Sequence, residues 1–360
     1  MTDTLAKEVT AELEAGGRIL VSRLQYLGDV ILTLPLVDAL RRRFPDAEID
    51  YLSRGPGADV LEGEPSLKAV FRVPDDGGER GATVKLVREL RRRKYAASID
   101  LYSNSRSALL TWLSGAKLRV GEARRGRRHL YTHATRSPNG VRSAIDFHLH
   151  FGRSLDIDAT PVRPALTITE AESRTAREEL TSLDIMDHRP VVGVHPGGKW
   201  EVKRWPTASF VELIERLTRH DGIQVVVFCG HGEEPYRDAV KEQVGDKATY
   251  LPARPIRQTA AVIDALDGMV VCDGGVMHIA VAVGTPTVGI FGSSEPDIWF
   301  PYETFGPYVP AIVPISCRPC HSHFCDHLSC LHRLTVDNVE EKLLDVMRGE
   351  LHGTSRMNGR

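Results

Sequence analysis

Short apolar runs alternate with helical patterns along most of the chain. In the first half, five apolar runs predict strands at 18–23, 48–53, 69–73, 96–101 and 118–121. Between them, a helical spacing of apolar residues predicts helices at 29–44, 80–94 and 105–114. Strands that alternate with helices in this way are typical of βαβ units and a parallel sheet.

The same alternation returns in the second half of the chain. The predicted strands there are 190–195, 223–230, 249–251, 268–273 and 286–292. The predicted helices are 207–219, 234–244, 256–266 and 275–283. The pattern therefore predicts an α/β protein with two doubly wound domains, whose ligands bind beyond the carboxyl ends of the strands, in the cleft between the domains.

The join between the domains is expected near 155–185. The stretch DIDATPVRPALTIT in that region carries two prolines and weak periodicity, as linkers do. We place the first domain at 1–165 and the second at 166–360.

Composition and missing motifs exclude several classes of protein. The chain of 360 residues is 42% hydrophobic and 26% charged, as soluble globular proteins are. No window approaches the about 18 uninterrupted apolar residues of a membrane span, and the acidic first 17 residues do not resemble a secretory signal. We expect a cytoplasmic protein. Neither G-x-G-x-x-G after the first strand nor G-x-x-x-x-G-K-[ST] is present, which argues against a dehydrogenase or a P-loop enzyme.

Charge is distributed unevenly about a net value of −2. Residues 1–165 hold 27 Lys and Arg against 21 Asp and Glu, a net of +6, and the other residues hold 19 against 27, a net of −8. The excess is concentrated at 88–94 and between Arg119 and Arg142. This excess of positive charge indicates either a solvated surface or a binding surface for acidic sugars, phosphates or lipid head groups. Nucleic acid is disfavoured, because the basic stretches lack interleaved aromatic residues.

A single carboxylate begins the apolar stretch LGDVILTLPLV, 27–37. Asp29 follows the first predicted strand and stands at the front of the first predicted helix. It could cap that helix, since acidic side chains are favoured at helix N-termini. It could equally serve as a catalytic base at the mouth of the domain. The residues alone leave both interpretations open.

A glycine-rich turn lies in VVCDGGVMHIAVAVGTPTVGIFG, 270–292. A predicted strand ends at Asp273, Gly274 and Gly275 allow a tight turn, and a helix follows with His278 in its first turn. Amides at a helix N-terminus, approached over glycines, suit a diphosphate, and His278 could add a donor. The alternative is a structural turn with a capping Asp.

Two further loops follow predicted strands. In HPGGKWEVKRWPTASF, 195–210, Lys203 stands between two tryptophans and could supply a point charge to phosphate oxygens, or could be a surface lysine. In FCGHGEEPYRD, 228–238, Glu233 or Glu234 could accept the hydroxyls of a ribose, or could belong to an acidic first helical turn. Together the loops indicate attack on a nucleotide-activated group.

The chain resembles the family 9 glycosyltransferases, the ADP-heptose:lipopolysaccharide heptosyltransferases. The segments that carry the resemblance are ILVSRLQYLGDVILTLPLVDALRRRFPDAEIDYL (19–52), HPGGKWEVKRWP (195–206) and DGGVMHIAVAVGTPTVGIFGSSEPDIWFPY (273–302). The resemblance implies the GT-B fold, which has two Rossmann-like domains, with the acceptor mainly in the first and the nucleotide sugar mainly in the second. It also implies inversion at the anomeric carbon, with no catalytic metal or other cofactor.

Site residues follow from the resemblance by position. Asp29 falls on the family's catalytic base, and Lys203 falls on a lysine that meets the donor phosphates. Glu234 falls on the ribose-binding acid, with Glu233 as the alternative. The family's D-[TS]-G-x-x-H motif falls on Asp273, Gly274, Gly275 and His278, with Gly274 in place of the usual hydroxyl residue.

The implied partners are ADP-heptose and an anionic acceptor of the lipopolysaccharide type. The candidate acceptor contacts are Arg124, Arg125, Arg127 and Arg128. Contact with the cytoplasmic face of the inner membrane is left open. Two other substrates also remain open, namely another nucleotide sugar as donor and a protein as acceptor. Two other kinds of protein remain open as well: a nucleotide-sugar epimerase of similar fold and a nucleotide-binding module without turnover.

Four cysteines lie close together in CRPCHSHFCDHLSC. Cys317, Cys320, Cys325 and Cys330 resemble a tetrahedral thiolate site for structural zinc or iron. The alternative is a set of unliganded thiols. Cys229 and Cys272 end predicted core strands and are expected to be packing residues.

Overall fold

The computed structural model describes residues 3–75, 81–136, 140–157, 160–185, 189–219 and 222–349. The chain divides into two compact units between Thr167 and Ile168, two residues beyond the boundary placed from the sequence. Each unit is described by itself.

The first unit is built on a parallel six-stranded sheet. Its strands are β1 (Arg18–Ser22), β2 (Glu48–Ser53), β3 (Ala69–Arg72), β4 (Ala97–Asp100), β5 (Leu118–Glu122) and β6 (His133–Thr135). Its helices are α1 (Asp3–Glu14), α2 (Leu27–Ile31), α3 (Leu34–Arg43), α4 (Gly55–Asp59), α5 (Ala82–Arg93), α6 (Ser105–Leu113) and α7 (Ala144–Gly152). The strand order is β3-β2-β1-β4-β5-β6, and every pair is parallel.

The second unit repeats this plan. Its strands are β7 (Val191–His195), β8 (Gln224–Val227), β9 (Thr249–Tyr250), β10 (Gly268–Cys272), β11 (Thr287–Ile290) and β12 (Tyr308–Ala311). Its helices are α8 (Glu170–Ser182), α9 (Thr207–Leu217), α10 (Glu234–Val244), α11 (Ile256–Asp264), α12 (Gly275–Val283), α13 (Pro296–Trp299), α14 (Ser329–His332) and α15 (Val336–Arg348). The order β12-β11-β10-β7-β8-β9 is the same one read from the other edge, again all parallel.

Both sheets are doubly wound, which confirms the predicted α/β class. The strand order reverses direction between β1 and β4 in the first unit and between β7 and β10 in the second. In open parallel sheets, ligands bind at these switch points, outside the carboxyl ends of the strands. The first places to look for chemistry are therefore the loops after β1, β4, β7 and β10.

Strands covered by helices on both faces account for the continuous apolar runs in the sequence. In the first unit, Leu20, Leu52 and Phe71 of the sheet share a core with Leu90 of α5 and Leu110 of α6. In the second unit, sheet residues pack in the same way against α9 and α15. None of the helices in the described part of the chain is both long and apolar enough to cross a bilayer.

Several elements differ from the prediction. The helix expected over 29–44 is two helices, because Pro35 has no N–H for a helix interior and instead occupies the first turn of α3. The elements absent from the prediction are α1, α4, α7, α8, α13, α14, α15, β6 and β12.

Helix α8 occupies much of the region expected to be a linker. Its first turn is a capping box, in which Thr169 and Glu172 bond each other's backbone amides. Arg257 of α11 binds both oxygens of Glu172, at 2.8 and 2.6 Å. Burial alone would raise the pKa of Glu172, but the bonds from Arg257 and Thr169 lower it to about 2. One carboxylate thus both starts α8 and fastens it to α11.

Replacing this carboxylate tests its contribution to folding. Glu172→Gln should lower the free energy of unfolding by about 1–2 kcal/mol at neutral pH, through loss of the charged bond and part of the cap. Since the folded pKa lies below the ordinary value of 4.5, the stabilisation is complete above that pH and disappears as the pH falls towards about 2. Denaturant unfolding of both proteins across this range would measure the gap between them. Glu178→Gln, an exposed change on the same helix, should be neutral. A gap that does not change with pH would contradict the assignment.

Candidate functional site

Asp29 lies in the first turn of α2, just after the switch point of the first sheet. Its Oδ2 accepts a hydrogen bond from the backbone N–H of Tyr26 at 3.2 Å, so the carboxylate does cap this short helix. Its Oδ1 lies 2.5 Å from Nη2 of Arg23. The cap and the ion pair fix the direction of the carboxylate, and each oxygen keeps a further lone pair for another donor.

Sequence reasoning missed Arg23. Its Nη1 donates to the carbonyl of Leu101 at 2.8 Å, and its guanidinium lies 4.7 Å from the ring centroid of Tyr102. The side chains of Arg23 and Asp29 are only 13% and 14% exposed. A charged residue directly after β1 was the available signal, because that position is the switch point.

A buried histidine contacts the end of helix α2, which carries Asp29. Nδ1 of His148, on α7, lies 3.2 Å from the carbonyl oxygen of Leu32, at the end of α2. Burial, with the nearby charge of Arg23, lowers the pKa of His148 to about 3, so the ring is neutral at physiological pH. It therefore adds no second positive charge beside Asp29.

The candidate acceptor arginines lie in the loop between β5 and β6. Arg124 pairs with Glu122 at 2.5 Å, and Arg127 donates to the Ser105 hydroxyl at 3.3 Å. Arg125 and Arg128 are exposed. Because β1, β4 and β5 are parallel, this loop and Asp29 leave the sheet at the same edge.

Arg119 differs from its neighbours in the basic cluster. Its side chain donates to the carbonyls of Leu130 and Ala116 at 2.9 and 2.8 Å. Burial lowers its pKa. It thus holds the base of the loop in place.

In the second unit, Asp273 follows β10 at the switch point. The side chain of Asp273 is 4% exposed, and its Oδ2 pairs with Lys203 Nζ at 2.6 Å. The hydroxyl of Ser294, which sequence reasoning missed, donates to the same oxygen. The strand order brings Lys203 and Asp273 together, since their loops follow the adjacent strands β7 and β10. A buried acid, a lysine and a hydroxyl therefore meet beside the start of α12.

Gly274 and Gly275 form the turn into α12. Gly274 has φ 179°, an extended conformation open to any residue, and α12 begins at Gly275. A Cβ added at Gly274 would meet only the carbonyl oxygen of Cys272, at 3.8 Å. The backbone here thus leaves room for a Cβ, the first atom of the hydroxyl side chain that the resemblance implies at this position.

His278 is less available to a ligand than the sequence suggested. The residue is 4% exposed, and its Nδ1 lies 2.8 Å from the hydroxyl of Tyr302. One ring nitrogen is therefore engaged inside the unit. The sequence provided no signal for Tyr302, which lies in the loop after α13.

The two adjacent glutamates have different environments. Oε2 of Glu233 lies 3.0 Å from Nε2 of His195 and accepts the N–H of Gly230 at 2.9 Å. Burial acts to raise the pKa of Glu233, but His195 and neighbouring amides outweigh it and lower the pKa. A Cβ at Gly197 would lie 2.6 Å from the same oxygen, so the loop closes tightly over Glu233. Glu234 makes no side-chain hydrogen bond or ion pair within the described residues, which favours it for a ligand.

The predicted thiolate metal site is not assembled. Cys330 is buried on α14 in the hydrophobic core of the unit, whereas Cys317 and Cys320 are exposed. Across the described ranges, no three His, Cys, Asp or Glu side chains converge as metal ligands. In this arrangement the described residues therefore do not form the zinc or iron site expected from their spacing. Cys229 and Cys272 are buried, as predicted.

The segment 317–330, which carries the four cysteines, instead packs on the turn after β11. The amides of Cys320 and His321 both donate to the carbonyl of Ser293, at 3.2 and 2.9 Å. Arg318 donates to the carbonyl of Ser294 at 2.9 Å. Since Ser294 holds Asp273, the segment supports the candidate site indirectly.

A doubly wound unit with a lysine and helix amides at its switch point is characteristic of α/β proteins that bind nucleotides or other phosphates. The family description "Glycosyltransferase family 9 (heptosyltransferase)" matches residues 83–326. The chain belongs to this family and is a glycosyltransferase.

Individual relatives agree with this assignment. Lipopolysaccharide heptosyltransferase 3 of Escherichia coli K12 is 26% identical over 297 residues, which cover 78% of this chain and 83% of that protein. A family 9 glycosyltransferase of Veillonella parvula superposes with a TM-score of 0.80 at 23% identity, covering 92% of this chain and 97% of that one. The E. coli ADP-heptose lps heptosyltransferase II gives 0.77 at 23% identity, covering 92% and 99%. These neighbours confirm the GT-B fold.

Thiol titration tests the geometry of the cysteines. In the native protein at neutral pH, Cys317, Cys320 and Cys325 should react rapidly with a disulfide reagent. The other three should react only after unfolding, because they are buried and burial raises their pKa values, to about 12 for Cys272. Fewer than three fast thiols in freshly reduced protein would contradict the structure.

Proposed function

We propose that this glycosyltransferase transfers heptose from ADP-heptose, with inversion, to a hydroxyl of a lipopolysaccharide inner-core acceptor. The observation that carries the proposal is the buried cluster of Asp273, Lys203 and Ser294 at the switch point of the second sheet. The donor is supported by the similar E. coli protein, which is described as an ADP-heptose enzyme.

The diphosphate of the donor binds the turn at 273–275. Lys203 lies within reach of phosphate oxygens there, and the first amides of α12 add donors suited to an anion. Developing negative charge on the departing ADP would be stabilised by these groups. Glu234 accepts the ribose hydroxyls.

Asp29 acts as the general base. It removes the proton of the acceptor hydroxyl while that oxygen attacks the anomeric carbon and the bond to ADP breaks. Arg23 and the amide of Tyr26 hold the carboxylate in one orientation, which suits a group that must meet its proton in a defined direction.

The acceptor is anionic, and the loop bearing Arg124, Arg125, Arg127 and Arg128 contacts it. Three of these four side chains are exposed, so they can steer acidic sugars and phosphates towards the edge of the sheet where Asp29 lies. We infer that the protein acts in the cytoplasm, at the cytoplasmic face of the inner membrane.

Product analysis with a panel of nucleotide sugars tests the proposal. ADP-heptose with a lipopolysaccharide core acceptor should yield ADP and heptosylated core in equal amounts. Release of another nucleoside diphosphate would show that the donor is a different nucleotide sugar. Transfer to a polypeptide would show that the acceptor is a protein. Conversion of the donor without an acceptor would indicate an epimerase, and saturable binding without turnover would indicate a binding module.

The base is tested by an isosteric change. Asp29→Asn should lower kcat by about 10²–10⁴-fold, the usual contribution of a general base, and should leave the donor Kd unchanged. Asp38→Asn, an exposed acid of the same first unit, is the matched control and should keep full activity. Near-normal turnover by Asp29→Asn would leave Asp29 as a helix cap only.

The lysine contact is tested by donor titration. Lys203→Met should weaken ADP-heptose binding by about 1.5–3 kcal/mol, because a charged bond is lost and Asp273 remains as an unpaired negative charge. Lys199→Met is the matched control in the same loop, since the Lys199 ammonium lies over the ring of Trp200. Calorimetry should show little change for the control. Equal donor affinities for the two variants would show that Lys203 does not bind the donor.

A further inference from the structure

Three large apolar side chains are exposed on one side of the first unit. Val84 of α5 is 53% exposed, and Leu109 and Trp112 of α6 are 46% and 49% exposed. Leu109 and Trp112 are three residues apart, so they lie on the same face of α6. Exposed large apolar residues that lie together mark interaction surfaces more often than isolated ones do.

The inner faces of the two helices point into the core. Leu86 and Leu90 of α5 and Leu110 of α6 belong to one buried cluster with the strands. The exposed residues therefore lie on the opposite, outward side of the same helix layer. We call this outward side the α5–α6 face.

Basic residues lie on two sides of the apolar ones. The exposed cations of α5 and its end are Lys85, Arg88, Arg91, Arg92 and Lys94, against the exposed acid Glu89. Nε of Arg91 lies 3.7 Å from the position of a Cβ at Gly115, so α5 reaches the end of α6. At the other end of α6, Arg127 contacts Ser105. The apolar side chains are thus flanked by positive charge on two sides.

We propose that the α5–α6 face docks on an anionic lipid bilayer. Arginines and lysines would meet the negative head groups, and Trp112 with Leu109 would enter the interfacial layer, where tryptophan is favoured. For its purpose, delivery of the protein to a lipid-linked acceptor, the inference rests on the proposed function. The binding itself needs neither donor nor acceptor.

Charge and side-chain type favour a bilayer over other occupants. Two copies of this face would bring like charges together, which opposes self-association through it. A nucleic acid would have little use for Leu109 and Val84, and Trp112 is the single exposed aromatic residue described on the two helices. A bilayer interface uses both the apolar and the basic groups.

Co-sedimentation of the full-length protein with vesicles tests the proposal. The wild type should bind vesicles of phosphatidylglycerol and phosphatidylethanolamine, bind phosphatidylcholine vesicles weakly, and dissociate as salt rises. Arg91→Ser with Arg92→Ser should weaken binding about 25-fold, at about fivefold for each cation near the surface. Leu109→Ser with Trp112→Ser should weaken it by about tenfold.

Matched controls lie in the second unit. Phe324→Ser removes a side chain that is 84% exposed, and Arg333→Ser removes an exposed cation. Both should bind vesicles as the wild type does. All variants should keep the wild-type unfolding temperature, because the changed side chains lie at the surface.

Quenching by brominated lipid provides a second measurement. Wild-type tryptophan fluorescence should be quenched on binding, whereas Trp112→Phe should still bind and lose most of the quenching. The proposal is overturned if phosphatidylcholine binds equally well, if the paired variants bind like the controls, or if quenching survives in Trp112→Phe. Since the experiment contains no sugar nucleotide, its failure would leave the proposed transfer reaction intact, and loss of transfer activity would leave vesicle binding intact.

Discussion

A parallel sheet constrains the whole chain, because each strand must be followed by a crossover before the next can pair in the same direction. Here the crossovers are helices on both faces, so the strands are buried and largely apolar, and the residues of the candidate sites lie in the loops at their ends. In both units the strand order reverses next to the first strand, and the chemically distinctive residues lie there: Asp29 with Arg23 in one unit, and Asp273 with Lys203 in the other.

Burial of the side chains explains why these charges are paired before any ligand is bound. A carboxylate as buried as that of Asp273 needs a partner, because an isolated buried charge is costly. Lys203 and Ser294 supply it. Lys203 is thus held in place before any ligand binds, and the diphosphate of the proposed donor would meet a preorganised charge.

Strands rich in branched apolar residues were readable from the sequence, as β1 and β7 show. Strand β6 was not, since His133–Thr135 is short, polar and only partly buried at the edge of the sheet. Helix α8 was obscured by the prolines before it, although Thr169 and Glu172 carried the signature of a capping box.

Asp29, Lys203 and Asp273 could each be singled out by their position after a strand. Contacts between different loops depend on which strands lie side by side, as with His195 and Glu233 at 3.0 Å, and no local pattern encodes that. The cysteines show that a close spacing in sequence does not fix the environment of a side chain, because Cys330 is buried whereas Cys317 and Cys320 are exposed.

In the proposed reaction, Gly274 would have a consequence for release of the product. The turn lacks the hydroxyl that the resemblance implies, although a Cβ there would meet only one atom within 4 Å, so there is space for the first atom of a side chain. With Asp273 and α12 placed as described, the spent nucleotide would be held by one hydrogen bond fewer. When departure of the product limits turnover, a weaker hold shortens the time that the enzyme spends occupied. The glycine would then lower the affinity for the product and speed its release, and a serine at this position, which adds a Cβ and a hydroxyl oxygen, would have the opposite effect.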